Sequence, residues 1–367
     1  MDPVKIGIIG CGNISDIYFE AGKTFEILDI VACADLIPER AAAKAEKHGI
    51  AKACSVEELL ADPEIQIVVN LTVPKAHAEV ALRALEAGKC VHSEKPLAVA
   101  REDGEKVMQL AHEKGLLVGC APDTFMGAGI QTCRKLIDDG WIGEPVAATA
   151  FMLCHGHESW HPDPEFYYEK GGGPMLDMGP YYLTALVNLM GPIKRVCAST
   201  RITFPERVIT SAPKYGKVMT VQTPTHLTGA MDFANGAVAT VIMSFDIWAS
   251  TLPCIEVHGT EGSMRVPDPN GFGGEIQVRR GGAKEWSPVP HSHIYAENSR
   301  GIGVADMAYA LRTGRAHRAS GELAYHVLDA MLAFIDSSEN GRHVKLRSKC
   351  RRPAALPLGL RKGLLDE

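Results

Sequence analysis

The first fifteen residues restrict the fold of this chain more than any other stretch. Residues 4–9 are a short, β-branched, apolar run of the kind that is buried on both faces of a parallel sheet. A tight turn follows directly, Gly10-Cys11-Gly12-Asn13-Ile14. Gly10 permits the sharp bend, and Gly12 has no side chain to keep a phosphate away from the N–H groups that open the next helix. The pattern is typical of a dinucleotide-binding βαβ unit, with an ordinary strand-to-helix turn as the alternative.

A carboxylate follows the second predicted strand. Residues 27–34 form another apolar run, and Asp35 ends it, about twenty residues beyond the turn. An acid there accepts hydrogen bonds from the adenosine ribose hydroxyls and repels a 2′-phosphate. Leu36 follows the acid, where an arginine would suit that phosphate. The sequence therefore favours NAD over NADP, and Arg40 keeps NADP possible.

The alternation of strands and helices continues to a lysine at a strand end. Strands are predicted over residues 65–71 and 90–93, and the second delivers Glu94-Lys95-Pro96 to the carboxyl edge of the sheet. Open α/β sheets bind their ligands at that edge. Because Pro96 disfavours helix at the residue before it, Lys95 is expected to be held extended. A solvated surface lysine is the alternative.

Beyond Asp123 the pattern changes to strands without helices between them. These strands are predicted over residues 146–154, 193–203, 225–233, 237–245 and 254–258. Strands in succession indicate an antiparallel sheet. We therefore expect an α/β protein: a doubly wound parallel sheet of the Rossmann type in residues 1–123, then a second domain over residues 124–367 with an open, largely antiparallel sheet.

An acid and a tyrosine follow a run of glycines in the second half. Asp177 and Tyr181 are four residues apart, so they face the same way if the stretch is helical. Oxidation of a secondary alcohol needs hydride departure and a base whose pKa lies near neutrality. Burial and a cationic nicotinamide would both lower the pKa of Lys95. We therefore predict an oxidoreductase in which Lys95 and Tyr181 form a coupled pair oriented by Asp177, with a helix N-cap as the alternative for Asp177.

These features resemble the Gfo/Idh/MocA oxidoreductase family over nearly the whole chain. The matching motifs are Gly10-Cys11-Gly12, Thr72-Val73-Pro74 with His77, Glu94-Lys95-Pro96, and Gly171-Gly172-Gly173 with Asp177 and Gly179. The resemblance implies that Lys95 and Asp177 lie at the substrate beside the nicotinamide. Tyr181 stands where many members have histidine, as in the glucose-fructose oxidoreductase branch.

The resemblance also implies where other groups lie. Its cofactor residues would be Gly10, Gly12, Asn13, Ile14, Asp35, Arg40, Thr72, Pro74, His77, Glu94 and Lys95. Asp123 would reach the substrate, although many relatives have an asparagine and an arginine near that position. The second sheet forms a subunit interface in relatives, so a homo-oligomer is expected.

A histidine-rich segment lies between the two motifs. His155, His157 and His161 are enough ligands for zinc, but the segment has no second cluster and hydride transfer to NAD needs no metal, so we predict none. Trp160, with Tyr167 or Tyr168, is instead expected to offer a flat surface to a sugar ring. His161 would hydrogen-bond one of its hydroxyls.

Composition excludes several other classes of protein. The net charge of −6 argues against a nucleic-acid partner, and no apolar run approaches the roughly 18 residues of a membrane span. The N-terminus has no leader-like pattern, and the ten cysteines include no Cys-x-x-Cys pair. A cytoplasmic protein with reduced thiols is expected.

The predicted function is NAD(P)-dependent hydride transfer to or from a sugar, cyclitol or related polyhydroxy compound. Two alternatives stay open from the sequence. One is a glycosidase or isomerase that retains its NAD and oxidises the ring only transiently. The other is a regulator that binds a dinucleotide without catalysis, against which the intact Lys95, Asp177 and Tyr181 argue.

Overall fold

A parallel sheet of six strands occupies the first third of the chain in the computed structural model, which describes residues 1–366. Its strands are β1 (Val4–Ile9), β2 (Leu28–Ala34), β3 (Lys52–Cys54), β4 (Ile67–Asn70), β5 (Cys90–Ser93) and β6 (Val118–Cys120). Their spatial order is β3-β2-β1-β4-β5-β6, and every neighbouring pair is parallel. The order reverses between β1 and β4, and ligands bind at the carboxyl edge beside such a reversal.

Five helices connect these strands. They are α1 (Ser15–Thr24), α2 (Pro38–His48), α3 (Val56–Ala61), α4 (His77–Glu86) and α5 (Arg101–Lys114). Proline at the first position of α2 and a left-handed glycine after it, Gly49 with a φ of 74°, set both ends of that helix. The expected Rossmann arrangement is confirmed.

A mixed sheet of nine strands forms the second half. Its strands are β7 (Pro145–Leu153), β8 (Ile193–Arg201), β11 (His226–Phe233), β12 (Val238–Ser244), β13 (Ile255–Gly259), β14 (Gly262–Val266), β15 (Ile276–Arg280), β16 (Ser287–Val289) and β17 (Val344–Lys345). Their order is β16-β15-β14-β13-β7-β12-β11-β8-β17. All neighbours are antiparallel except β7 and β12. A separate hairpin consists of β9 (Glu206–Val208) and β10 (Val218–Thr220).

Four helices complete the structure: α6 (Ala128–Asp138), α7 (Gly173–Met190), α8 (Ile302–Thr313) and α9 (Gly321–Asn340). Helices α7 and α9 pack on one face of the second sheet, which leaves its other face open. Helices α8 and α9 also contact β6, and α9 contacts α5. The chain beyond residue 300 therefore returns to the first sheet, and the division at residue 123 stays a prediction.

No helix within residues 1–366 is both long enough and apolar enough to cross a bilayer.

Candidate active site

The turn after β1 has the geometry that its glycines predict. Gly10 has a φ of 101°, and a Cβ at this position would lie 2.6 Å from the backbone carbonyl carbon of Leu71. A side chain is therefore excluded there. A Cβ on Gly12 would have no atom within 4 Å, so the space above this residue is open. The N–H groups of Gly12, Asn13 and Ile14 have no acceptor within residues 1–366. Free N–H groups at a helix start fit a pyrophosphate.

Asp35 ties the turn to the end of β2. Its Oδ2 accepts a hydrogen bond from the N–H of Cys11 at 2.7 Å, and its Oδ1 accepts from the N–H of Ile37 at 2.9 Å. A carboxylate has about four acceptor sites, so two remain for ribose hydroxyls. Asp35 also lines a cavity of about 480 Å³ together with Leu36 and Arg83. The residues present therefore fit an adenosine.

Arg40 was the cation expected near the adenosine, but the cation that lines this cavity is Arg83. Arg40 is exposed and lies outside the lining, whereas Arg83 lines it and pairs with Glu57 at 2.8 Å. Arg83 could not be recognised from the sequence, because it lies on α4 and comes near Asp35 only through the fold.

We predict that the wild-type protein prefers NAD to NADP, because the Asp35 carboxylate repels a 2′-phosphate. Asp35→Ser is expected to reduce that preference by about tenfold or more, which corresponds to roughly 1.4 kcal/mol. The ratio of kcat/KM values for the two cofactors measures it. Arg40→Ser is the matched control for a nearby charge, and equal or better use of NADP by the wild type would contradict the placement of Asp35.

A second cavity joins the nucleotide turn to the predicted catalytic residues. Its volume is about 520 Å³. Its lining comes from the turn (Gly12, Asn13, Ile14), the end of β4 (Leu71, Thr72, Val73, Pro74, Lys75), Lys95 and Pro96, and the start of α7 with the loop before it (Phe166, Tyr167, Lys170, Gly171, Gly172, Leu176, Asp177). A dinucleotide on the turn would therefore share this space with Lys95 and Asp177.

Lys95, Asp177 and His157 form a continuous hydrogen-bonded chain. Lys95 Nζ donates to Asp177 Oδ1 at 2.8 Å and to the Asp177 carbonyl oxygen at 2.7 Å. His157 Nε2 lies 3.0 Å from Asp177 Oδ2. Asp177 belongs to α7, whose N-cap is Gly172, so it is not a helix N-cap itself. Three segments far apart in sequence thus meet at one carboxylate.

The charge of Lys95 beside Asp177 differs from the expectation based on the sequence. Burial lowers the pKa of Lys95, but Asp177 and Tyr181 outweigh burial, so the pKa lies above its ordinary value. Burial raises the pKa of Asp177, and Lys95 with His157 brings it down to about 2. The prediction of a lysine with a lowered pKa is therefore wrong for the protein alone. The site holds an ammonium–carboxylate pair.

Tyr181 lies one helical turn from Asp177 on α7, and its ring centroid is 5.3 Å from Lys95 Nζ. The residue is 8% exposed. Burial raises the pKa of the phenol above its ordinary value, although Lys95 and Arg300 oppose this. The phenol of Tyr181 is therefore neutral at neutral pH.

Glu94 supports the lysine. Its Oε1 accepts from the Tyr18 hydroxyl at 2.7 Å, and its Oε2 accepts from the backbone N–H of Lys95 at 3.0 Å. The carboxylate thus fixes the backbone beneath Lys95. Glu94 is not among the residues that line the cavity, and its contact with the cofactor stays a prediction.

His77 also supports the cavity from behind. It is buried, and its Nδ1 and Nε2 lie 2.7 Å from the Pro96 carbonyl oxygen and 2.9 Å from the Thr72 carbonyl oxygen. The ring links two segments that line the cavity but is not among the lining residues itself. His77 was predicted to contact the cofactor directly, but in the structure it holds the Thr72 and Pro96 segments together from behind the cavity.

Asp123 is not available to a substrate. It is 1% exposed, and its Oδ2 accepts from the N–H groups of Gly301 at 2.8 Å and Gly303 at 3.0 Å. Burial raises its pKa to about 6. The prediction of substrate contact is therefore wrong, because this carboxylate fixes the start of α8.

The three histidines of the segment after β7 have different partners. His155 stacks on Trp248 with ring centroids 3.4 Å apart, His157 contacts Asp177, and His161 Nδ1 accepts from the N–H of Asp163 at 3.0 Å. Within residues 1–366, no three metal-ligating side chains converge. This segment therefore supplies a partner for Asp177. His155 and His157 alternate at the end of β7, and this local pattern does not indicate that His157 contacts Asp177.

Only one of the aromatic residues expected at a flat surface of the pocket, Tyr167, lines the cavity. Trp160 is 61% exposed, and neither it nor His161 lines the cavity. Phe166 and Tyr167 do line it, and Tyr167 packs against His157 with centroids 4.2 Å apart. Tyr167 was one of two tyrosines considered from the sequence, and Phe166 was missed.

Comparison with known proteins identifies the family. Residues 4–121 match the profile described as "Oxidoreductase family, NAD-binding Rossmann fold", and residues 130–265 match the GFO/IDH/MocA C-terminal domain. The protein is an oxidoreductase with a nicotinamide cofactor, and it belongs to the Gfo/Idh/MocA family.

Several curated relatives cover most of the chain. A 1,5-anhydro-D-fructose reductase from Ensifer adhaerens is 29% identical over 93% of this chain and 98% of its own length. A levoglucosan dehydrogenase from Pseudarthrobacter phenanthrenivorans is 26% identical over 72% of this chain and 73% of its own. A scyllo-inositol 2-dehydrogenase (NADP(+)) from Bacillus subtilis is 23% identical over 94% of this chain and 97% of its own.

Solved structures share the fold. An NAD binding oxidoreductase from Klebsiella pneumoniae superposes with a TM-score of 0.83 at 22% identity, over 95% of this chain and all of the other. A levoglucosan dehydrogenase in complex with NADH and L-sorbose gives 0.81 at 23% identity over the same shares.

Proposed function

We propose that this protein transfers a hydride between NAD(P) and a secondary hydroxyl or carbonyl group of a sugar, cyclitol or related polyhydroxy compound. One observation carries the proposal: the partly buried Lys95–Asp177 pair faces the same cavity as the nucleotide turn. The names of the relatives support a polyhydroxy substrate. A screen of polyols and aldoses with both cofactors, read as NADH or NADPH absorbance, tests it, and no turnover with any of them would count against it.

Lys95 is the proton carrier of the proposed reaction. When bound, the nicotinamide supplies or accepts the hydride. In carbonyl reduction, the Lys95 ammonium donates a hydrogen bond to the substrate oxygen and then gives it a proton. In alcohol oxidation, the neutral amine of Lys95 takes that proton. Asp177 keeps the ammonium in place by accepting two hydrogen bonds from it, one on Oδ1 and one on its backbone carbonyl oxygen.

His157 completes the orientation of Asp177. Its Nε2 lies 3.0 Å from Asp177 Oδ2, where it can donate to the carboxylate, and its Nδ1 is buried with no partner in residues 1–366. The histidine holds the second carboxylate oxygen, so the first stays directed at Lys95. Tyr181 provides a neutral donor next to the lysine. This tyrosine-type site is part of the proposal.

The two reaction directions are expected to respond oppositely to pH. Because the pKa of Lys95 is raised, the ammonium that reduction needs is present at neutral pH, and the reduction rate should fall only in the alkaline range. Oxidation needs the neutral amine, so its rate should rise with pH over that range. Profiles of kcat in both directions measure this. A reduction rate that falls near neutral pH would contradict the assignment of Lys95.

We also propose that two copies associate through the open face of the second sheet. Phe151 on β7 and Ile242 on β12 are paired in register, and both point away from the face covered by α7 and α9. Thr228 continues the row on β11. The row offers partly exposed apolar surface, which interfaces use.

Ile242→Arg is expected to shift sedimentation from dimer or higher oligomer to monomer, because it places a charge at the centre of that apolar row. Val208→Arg, on the separate hairpin, is the matched control and should leave the mass unchanged. A monomeric wild type would contradict this interface.

A further inference from the structure

A third cavity lies between the C-terminal segment and the loop that connects α8 to α9. Its volume is about 760 Å³, within the range of small-molecule sites. The lining residues are Leu117, Gly314, Arg315, Ala316, His317, Arg318, Ser320, Glu322, Lys349, Cys350, Arg351, Arg352, Pro353 and Ala354. We call it the C-terminal groove. Neither the nucleotide turn nor Lys95 is part of it.

Three of its arginines are held rigidly by internal acceptors. Asp306, which is 0% exposed, accepts from Arg315 at 2.7 Å and also pairs with Arg318. Arg352 donates to the carbonyl oxygens of Asn188 and Leu189, each at 2.7 Å. These guanidinium groups form a fixed positive wall. Their carboxylate partners neutralise part of its charge.

Two further cations of the groove are not used by the fold. Lys349 and Arg351 are exposed, and their side chains make no hydrogen bond or ion pair with any part of residues 1–366. Glu322 is the carboxylate among the lining residues, against five lysines and arginines. The groove therefore has two free cations and an excess of positive charge, in a protein whose net charge is −6.

We propose that the C-terminal groove binds a small phosphate-bearing molecule. Arginine presents a planar fork of N–H donors that matches a phosphate, and lysine adds a point charge. The groove also includes the start of α9, a helix of 20 residues whose N-terminal dipole favours an anion. A phosphate in the groove would thus lie near three sources of positive potential. These are the side chains of Lys349 and Arg351, the fixed arginines, and the N-terminus of α9.

The basic stretch of residues 345–352 provides a matched control for this proposal. Within residues 345–352, Lys349 and Arg351 line the groove, while Lys345 and Arg347 do not. The two pairs lie in the same segment and carry the same charge. Only Lys349 and Arg351 should therefore affect the affinity of a ligand in the groove.

The test is calorimetric titration of inorganic pyrophosphate into the full-length protein, with NAD in excess to occupy the dinucleotide turn. One pyrophosphate site, the C-terminal groove, is expected to remain under these conditions. Its affinity should fall about tenfold or more in the Lys349→Gln/Arg351→Gln variant, because two charge-assisted contacts are lost. It should change by less than about twofold in the Lys345→Gln/Arg347→Gln variant, since exposed charges outside the site act weakly.

Glu322→Gln provides a variant that gains affinity. It removes the carboxylate of the lining, so pyrophosphate should bind several-fold more tightly. The proposal is overturned if no site remains in the presence of NAD, if both double variants lose affinity equally, or if Glu322→Gln weakens binding. Tighter binding of citrate than of pyrophosphate would overturn the assignment to phosphate.

Discussion

Replacing Lys95 with methionine is expected to lower kcat by about 10³, within the range that positioned acid–base catalysis contributes. The variant keeps a side chain of similar length but has no proton to give and no charge to hold the substrate oxygen. Cofactor affinity should change little, because the adenosine and pyrophosphate groups meet other residues. Steady-state turnover and NADH fluorescence titration measure the two effects separately.

Lys95→Arg separates proton transfer from charge. Arginine stays protonated, so it restores the positive charge beside Asp177 but cannot act as the acid or base. We expect it to remain nearly as inactive as the methionine variant. Tyr181→Phe should cost less, about tenfold, since it removes one neutral donor. If Lys95→Met keeps turnover within a few-fold of wild type while it binds NAD, Lys95 is not the proton carrier.

Asp177→Asn is expected to lower kcat in the reduction direction by about 10², because a neutral amide holds the Lys95 ammonium poorly. The variant should also lower the pKa of Lys95, since burial then acts on the ammonium without the carboxylate that opposes it. The alkaline rise of the oxidation rate should therefore move to lower pH. Profiles of kcat against pH, at saturating substrate, measure this shift.

Asp163→Asn is the matched control for Asp177→Asn. Asp163 is an exposed carboxylate in the loop before α7, and it pairs with Lys214 at 2.6 Å, away from Lys95. Its replacement should leave both the rate and the pH profile unchanged. An unshifted oxidation profile in Asp177→Asn, with the fold intact by thermal melting, would contradict the proposed pairing.

The parts of the structure that depend on local pattern could be predicted from the sequence. The apolar runs of β1 and β4, the glycine turn between β1 and α1, and the strand end that carries Lys95 follow from neighbours in the chain. Strands β14–β17 were not predicted. They are two to five residues long, and so short a run gives little alternation to recognise.

The parts that depend on distant partners could not be predicted. Asp123 was expected at the substrate, but its acceptor role is fixed by Gly301, which is 178 residues later. The charge of Lys95 depends on Asp177, 82 residues away, and a lysine at a strand end does not reveal whether a carboxylate will pair with it. His157 likewise gains its role only where α7 brings Asp177 within 3.0 Å.

The stoichiometry of cofactor and substrate tests the central claim most directly. A polyhydroxy compound that is turned over should be incubated with NAD, and the NADH formed should be counted against the compound consumed. We predict one NADH for each molecule oxidised by the wild type, and NADH formation about 10³-fold slower with Lys95→Met. Consumption of the sugar without net NADH would contradict the account and would instead indicate a glycosidase or isomerase that oxidises its substrate only transiently.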